Sequence, residues 1–349
     1  MGGLRFWPIR ILVAGGCGFI GSNYVCHVVR EHPGVHVVVP DKLTHAGNPR
    51  NIADLPADRV QLVVGDTCDV PLANRLVAES DAVVNFAAES HNDNSITDPA
   101  PFLKANVEGA YVLIEACRRH GVRFHQVSTR EVFGDLELDG PGRFTEASPR
   151  RPSSPYGSSK ASADMLVRAW ARTYGLRAAI SICSNNYSPY RRVEKFIPCQ
   201  VTSLIDGGSP VLYGDGFNVR DWIHVEDRCS AVCAILARGR VGETCLVGVD
   251  GECSNLSVVR EILRAFGRGE NDFDWVRDRC GLGCRYVVDA TKLRKEFGWE
   301  SINADFAAGL AKTIFWHRTN EPWWRSAKFK TVAGTGACHQ VGRGRAPSH

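Results

Sequence analysis

Tyr156-Gly-Ser-Ser-Lys160 sets a phenol and an ammonium four residues apart, close to the start of a helix-period segment. At that spacing the two side chains share one helix face, one turn apart. A nearby cation favours the phenolate and brings a phenol of ordinary pKa ~10 toward working range as a base. Upstream, Ser128-Thr129-Arg130-Glu131 offers the Thr129 hydroxyl and the Glu131 carboxylate to the same substrate. Arg130 stands between them, a cation among groups that handle protons.

These side chains need a scaffold to bring them together. Arg10 to Ala14 is a short apolar run that stops at glycines. Similar runs recur at Val35 to Val39, Val60 to Val64, Ala82 to Phe86, Arg123 to Ser128 and Ala178 to Cys183. Helix-period segments lie between them, notably Ser22 to Arg30, Pro101 to His120 and Ser158 to Tyr174. The alternation predicts an α/β fold, a doubly wound parallel sheet with helices on both faces. Ligands gather at the carboxyl ends of such strands, where Ser128 and Thr129 fall. Pro152-Ser-Ser-Pro155 is a rigid loop that delivers the helix carrying Tyr156.

After about Asn185 the alternation becomes irregular, interrupted by Pro189, Pro198, Pro210 and several glycines, with short helices such as Asn255 to Phe266. This predicts a smaller α/β substrate lobe interleaved with the first. The expected division is a dinucleotide-binding domain over 9–184, joined again by part of 220–248, and a lobe over 185–325. The segment 331–349, glycine-rich and without apolar period, is expected to be a disordered tail.

Gly15-Gly-Cys-Gly18-Phe-Ile-Gly21 follows the first strand and opens the first helix. Glycines at positions 15, 18 and 21 permit a tight turn and let backbone amides approach a pyrophosphate at the helix N-terminus. Asp41 ends the second strand 20 residues after Gly21, where a carboxylate holds a ribose 2′-hydroxyl and repels a 2′-phosphate. NAD is therefore expected rather than NADP. Asp66, after the third strand, is a candidate adenine contact.

Hydrophobic content of 44% and charged content of 23% over 349 residues belong to an ordinary globular protein. A net charge of +4, scattered along the chain, argues for neither nucleic acid nor a membrane surface as partner. No apolar run approaches the ~20 residues of a membrane span, and Met1 to Arg10 lacks the core of a signal peptide, so the cytoplasm is expected. The thirteen cysteines are expected to be free thiols. Cys229 and Cys233, and Cys280 and Cys284, are each four apart, but no second ligand pair stands at zinc-site spacing, so no metal is expected.

The glycine run with the Tyr-Lys pair is similar to the extended short-chain dehydrogenase/reductase family, with its Rossmann-type sheet. Longer motifs narrow this further. Asp41-Lys-Leu-Thr-His-Ala-Gly47, Ala87-Ala-Glu-Ser-His-Asn-Asp-Asn-Ser95, Asn185-Asn-Tyr-Ser-Pro-Tyr190, Glu194-Lys-Phe-Ile-Pro198 and Val219-Arg-Asp-Trp-Ile-His-Val-Glu-Asp227 all resemble the dTDP-glucose 4,6-dehydratases. The resemblance runs from about Arg10 to about Trp324. It implies that Tyr156, aided by Lys160, takes the proton of the glucose 4-hydroxyl while hydride passes from C4 to NAD. It also implies that Thr129 holds the 4-oxygen and that Glu131 removes the C5 proton before water leaves from C6. For the cofactor it implies contacts from Phe19, Ile20, Lys42, Leu43, Thr44, Thr67, Phe86, Ala87, Ala88, Ser90 and Asn186. For the sugar nucleotide it implies His91, Asn185, Glu194, Lys195, Phe196, Tyr213, Arg220 and Asn255. A homodimer built on helices Pro101 to His120 and Ser158 to Tyr174 is implied as well.

The pattern breaks at defined places. The family carries an aspartic acid, the donor to the leaving 6-hydroxyl, where this chain has Arg130. A guanidinium is a poor donor at neutral pH, and general-acid help is typically worth ~10²–10⁴ in rate. Arg130 is also expected to pair with Glu131 and depress its basicity, so elimination should suffer more than oxidation. Gly281-Leu-Gly283 replaces a Gly-His-Asp segment, and Ala105, Ser188 and Arg192 replace Thr, Gly and His. A related sugar-nucleotide epimerase or decarboxylase, or a catalytically weak nucleotide-binding homologue, are the alternatives.

Overall fold

The computed structural model describes residues 7–276 and 284–334. Its frame is a seven-stranded sheet in which every neighbouring pair is parallel. Its strands are β1 (Arg10–Ala14), β2 (His36–Asp41), β3 (Val60–Val64), β4 (Ala82–Asn85), β5 (Arg123–Thr129) and β6 (Ala178–Cys183), with a seventh at Thr244–Val247. Across the sheet the order is 244–247, β6, β5, β4, β1, β2, β3. The chain reverses direction of travel between β1 and β4, which opens a crevice at the carboxyl ends of those strands.

Alternation along the strands builds two cores. Ile11 and Val13 of β1 face helices Phe19–Glu31 and Val225–Arg238 through Val25, Val28, Val232 and Leu236. Leu12 and Ala14 face helices Gly109–His120 and Pro155–Tyr174 through Leu113, Ala116 and Val167. Because both faces are covered, the strands read as continuous apolar runs.

The remaining strands are short. Here β7 is Asn185–Tyr187, β8 Val211–Tyr213, β9 Val219–His224, β10 the Thr244–Val247 strand already placed, β11 Glu252–Ser254, β12 Asp274–Val276 and β13 Arg285–Tyr286. Strands β11, β9 and β13 lie side by side with β7 joined to β9, while β12 pairs with β8. A third core under them gathers Tyr187, Ile197, Leu212, Trp222, Val259 and Ile314. Helix Thr291–Phe297 packs back onto the large sheet through Leu293 and Phe297, a return that periodicity did not reveal.

Two expectations change. The segment Pro101 to His120 is not one regular helix: a π turn at Leu103–Glu108 separates Ala100–Phe102 from Gly109–His120. The cause lies at Asn106, whose buried amide bonds the Glu89 amide at 2.9 Å, the Glu89 carbonyl at 3.0 Å and Ser159 Oγ at 2.8 Å. Turns of this kind are rare and concentrate at functional sites. The last described helix, Glu321–Gly334, enters the segment expected to be disordered, so 331–334 are helical and 335–349 lie outside the described residues. The described cysteines are free, Cys229 and Cys233 among them in a buried helix, while Cys280 lies outside the described residues.

Candidate active site

Strand β5 ends at Thr129 and breaks into a tight turn over Arg130–Val132, where the Glu131 amide donates to Thr129 Oγ1 at 3.4 Å. Helix Pro155–Tyr174 begins against that turn. Ser154 caps it by accepting the Gly157 amide at 3.1 Å, and Pro155 pre-sets the first helical φ. A Cβ on residue 157 would lie 2.8 Å from the Glu131 carbonyl oxygen, so glycine permits this approach. Tyr156 thereby meets Thr129 and Glu131.

The electrostatics around the phenol are mixed. Burial pushes the Tyr156 pKa above its ordinary 10, and the Glu131 carboxylate pushes the same way. A hydrogen bond with Thr129 and the charges of Arg130 and Arg228 pull it back. The Lys160 ammonium donates to the Val127 carbonyl at 2.7 Å, and burial lowers its pKa to about 8. One turn further, Asp164 accepts from the Ser128 hydroxyl at 2.7 Å and is raised by burial to about 6. Tyr156, Lys160 and Asp164 form a ladder on one helix face; the first two were expected from their spacing, and Asp164 was not singled out.

A cavity of about 510 Å³ opens in the crevice past the carboxyl ends of β1, β2, β3 and β4, and Tyr156, Lys160, Thr129 and Glu131 are not in its lining. Of the cofactor candidates, Gly15, Gly18, Asp41, Lys42, Thr44, Asp66, Thr67, Phe86, Ala87 and Ala88 line it. Gly15 has φ +73°, and a Cβ there would sit 2.6 Å from the Ala87 nitrogen. Asp41 accepts the Cys17 amide at 2.9 Å and the Leu43 amide at 2.8 Å, which leaves lone pairs for a ligand hydroxyl. Leu43 takes φ +53°, backbone strain of the kind stored at ligand sites. Lys42 pairs with Asp66 at 2.7 Å. Phe19 and Ile20 start the first helix, with the Arg191 guanidinium 5.1 Å from the Phe19 ring centre. Gly21 is buried in the same helix, Ser90 is exposed beyond β4, and Asn186 is buried on β7. Gly65, Asp98, Lys104 and Glu89, to which periodicity did not point, line it as well.

Among the sugar-nucleotide candidates, His91, Glu194 and Lys195 converge. Burial lowers the His91 pKa, and the nearby Lys195 charge adds to that. Lys195 is itself lowered by burial and feels Glu194 and Glu131. Glu194 pairs with Arg192 at 2.7 Å, yet its other oxygen is buried without a partner, as is Oδ1 of Asn185. Phe196 starts helix Phe196–Ile205 and stacks on Trp222. Arg220 on β9 stands opposite Cys253 of β11 and Tyr286 of β13, and Asn255 begins the helix after β11. Tyr213 lies on β8, followed by the loop 214–218, whose Asn218 carbonyl accepts the Asn255 amide at 3.0 Å.

The sequence profile of the GDP-mannose 4,6 dehydratase family matches residues 12–313. The dTDP-glucose 4,6-dehydratase of Mycobacterium tuberculosis (strain CDC 1551 / Oshkosh) is 56% identical over 325 residues, covering 93% of this chain and 98% of that protein. The chain belongs to the dTDP-glucose 4,6-dehydratase family. Among solved structures, the family enzyme DesIV of Streptomyces venezuelae, with NAD and TYD bound, superposes with a TM-score of 0.87 at 42% identity. That match covers 91% of this chain and 99% of DesIV. The family enzyme of Bacillus anthracis str. Ames, in complex with NAD, gives 0.84 at 41% identity, with 91% and 99% covered.

Against that dehydratase family, the departures now have places. Arg130 does not pair with Glu131, contrary to expectation. Its guanidinium lies 4.7 Å from the ring centre of Tyr286 instead, and no carboxylate among the described residues is in ion-pair contact with it. Ala105 lines the cavity, Ser188 is buried, and Arg192 bonds both Glu194 and the His45 carbonyl. Gly281 to Gly283 lie outside the described residues. Arg228 was not foreseen at all. It is buried on helix Val225–Arg238, donates to the Ser128 carbonyl at 3.4 Å, and acts on both Tyr156 and Lys160. Only the return of that helix to the sheet brings it there, so no local signal marks it.

Proposed function

We propose that this chain dehydrates dTDP-glucose to dTDP-4-keto-6-deoxyglucose using bound NAD. The observation that carries this is the meeting of Tyr156, Thr129 and Glu131 at the carboxyl end of β5, the strand next to β4, past whose end Phe86 and Ala87 line the cavity shared with Gly15 and Asp41. The residues present fit the cofactor: the Gly15 backbone leaves room that a Cβ would fill, and Asp41 keeps lone pairs free. NAD held there would supply the acceptor for the C4 hydride and, once reduced, the donor for C6. Tyr156, as phenolate, takes the 4-hydroxyl proton while Thr129 holds the 4-oxygen. The resulting ketone acidifies the C5 proton, which Glu131 removes. Lys160, tied to Val127, positions the ribose side of the site, and Arg220 with Asn185, Glu194, Lys195 and Asn255 receives the nucleoside diphosphate.

Arg130 does not donate a proton to the departing 6-hydroxyl, so elimination is slower than with an acid there by a factor in the range ~10²–10⁴. Oxidation at C4 is unaffected by that loss. Exposed Leu103, Tyr111 and Met165 on the helices 100–120 and Pro155–Tyr174 support a homodimer through those faces. No described helix is long and apolar enough to cross a membrane, and the free thiols suit a cytoplasmic enzyme.

The test is direct. The purified protein is incubated with dTDP-glucose and NAD, and the product is examined for a 4-keto-6-deoxy sugar with solvent hydrogen at C5. Tyr156→Phe should abolish NADH formation. Retained NAD without turnover on any dTDP- or UDP-sugar would refute the catalytic reading and favour a nucleotide-binding homologue.

A further inference from the structure

The catalytic helix carries more charge than the proposed reaction uses. Beyond Tyr156 and Lys160 on the same face stand Asp164 and, a further turn on, Arg168. Asp164 is fully buried. One of its carboxylate oxygens accepts from the Ser128 hydroxyl at 2.7 Å, and the other, Oδ1, is buried without a hydrogen bond. A carboxylate held by one hydrogen bond is costly to bury and keeps its charge only where cations face it. Three do: Lys160 and Arg168 from its own helix, and Arg150 from the segment before that helix. Arg150 also feels Glu146, and Arg228, from helix Val225–Arg238, faces Lys160.

Lys160 is buried too, and its ammonium donates to the Val127 carbonyl at 2.7 Å, a neutral partner. Burial and the Arg228 charge both work against that ammonium, while the Asp164 carboxylate favours it. Val127 and Ser128 are consecutive on β5, so Lys160 and Asp164, one turn apart on the helix, grip consecutive residues of the strand that ends at Thr129. Ser128 thereby fixes the carboxylate at the level of the lysine. If that negative charge were removed, the three guanidiniums around it would keep their protons. Lys160 alone of the four cations can become neutral.

We propose that Asp164 is a positioning residue of this site: pinned by Ser128, it is the counter-charge that keeps Lys160 an ammonium on the Val127 carbonyl. Without it the lysine sheds its proton at working pH, and the cation is lost from beside Tyr156. This deepens the dehydratase reading above, in which Lys160 supports the reaction, and rests on it for the catalytic consequence; the charge relation itself does not.

The test reads the Lys160 proton directly. Lysine labelled with carbon-13 at Cε is incorporated, and the Lys160 signal of the NAD-loaded protein is assigned by its absence in Lys160→Met. Its midpoint is followed by pH titration in the parent and in Asp164→Asn, which keeps the shape of the side chain and removes the charge. An opposite charge one turn away favours the charged form by about one to three pH units, so the Asp164→Asn midpoint should fall by that amount. In the parent, the Lys160 signal should also step where Asp164 titrates, at about pH 6, a coupling seen without any variant. In single-turnover NADH formation from dTDP-glucose, the rate of Asp164→Asn divided by that of the parent should fall about tenfold or more between about pH 6 and pH 9. The ratio cancels the titration of Tyr156 that both proteins share. A variant slower by the same factor at every pH would mark Asp164 as structural and overturn the proposal. So would a midpoint that falls by less than about one pH unit, or a parent Lys160 signal that is flat where Asp164 titrates. A parent that forms no NADH would overturn the dehydratase reading, and the Lys160 titration would still decide the counter-charge.

Discussion

Replacing Asn106 by leucine should cost the fold about 3 kcal/mol, and the cofactor site should feel it. Asn106 is buried in the π turn, and its amide makes three bonds: to the Glu89 amide, the Glu89 carbonyl and Ser159 Oγ. Glu89 lies in the cavity wall next to Ala88, and Ser159 sits beside Lys160 on the catalytic helix. One side chain thus ties the wall of the nucleotide cavity to the helix that carries Tyr156. Leucine is close to asparagine in size but makes none of these bonds. A hydrogen bond of this type contributes about 1 kcal/mol net, and the stranded Glu89 groups are half-buried, so three bonds sum to about 3 kcal/mol. That is a large fraction of an ordinary total of about 5–15 kcal/mol. The assay is urea unfolding of parent and variant, each with and without saturating NAD. The variant's midpoint should fall at unchanged slope, and NAD should raise it less than it raises the parent's. A loss below about 1 kcal/mol, or an equal rise with NAD, would refute the argument that these bonds hold wall and helix together.

Two further perturbations bear on the site. Arg228→Met removes a cation that pulls the Tyr156 pKa down. With the phenolate as the proposed base the rate rises with pH through its pKa, so the acid limb of NADH formation should move to higher pH. An unmoved limb would show that Arg228 does not act on Tyr156. Gly15→Ala forces a side chain onto φ +73° and into the Ala87 backbone. Strain of about 1–2 kcal/mol, relieved by a turn that shifts off the geometry that admits NAD, predicts about 5- to 30-fold weaker NAD binding, read by titration, and an affinity within twofold of the parent would refute it.

Much of this architecture was written locally. The apolar runs at Arg10 to Ala14 and Ala178 to Cys183 match β1 and β6, because strands covered on both faces carry mostly apolar residues, and the run at Val60 to Val64 matches β3, an edge strand that stays partly exposed. The first helix begins at Phe19, three residues earlier than its apolar period suggests, since the glycine turn itself starts the coil. The π turn at Leu103–Glu108 was invisible, because the bonds that hold it open run to Glu89 and Ser159, distant in sequence.

The same division applies to the site. Sequence by itself determined the Tyr156–Lys160 pair, the glycine turn and the carboxylate at Asp41, since each depends on spacing within one element or its end. Tertiary structure alone decided which charges surround them. Lys160 gives its proton bond to Val127, while Arg228 arrives from a helix some 70 residues later and Tyr286 from farther still. Arg130 looked from the sequence like a partner for Glu131, and the fold turned it to Tyr286 and Arg220 instead. Electrostatic neighbours are set by distance through space, and the chain's order does not contain that distance until the sheet has formed.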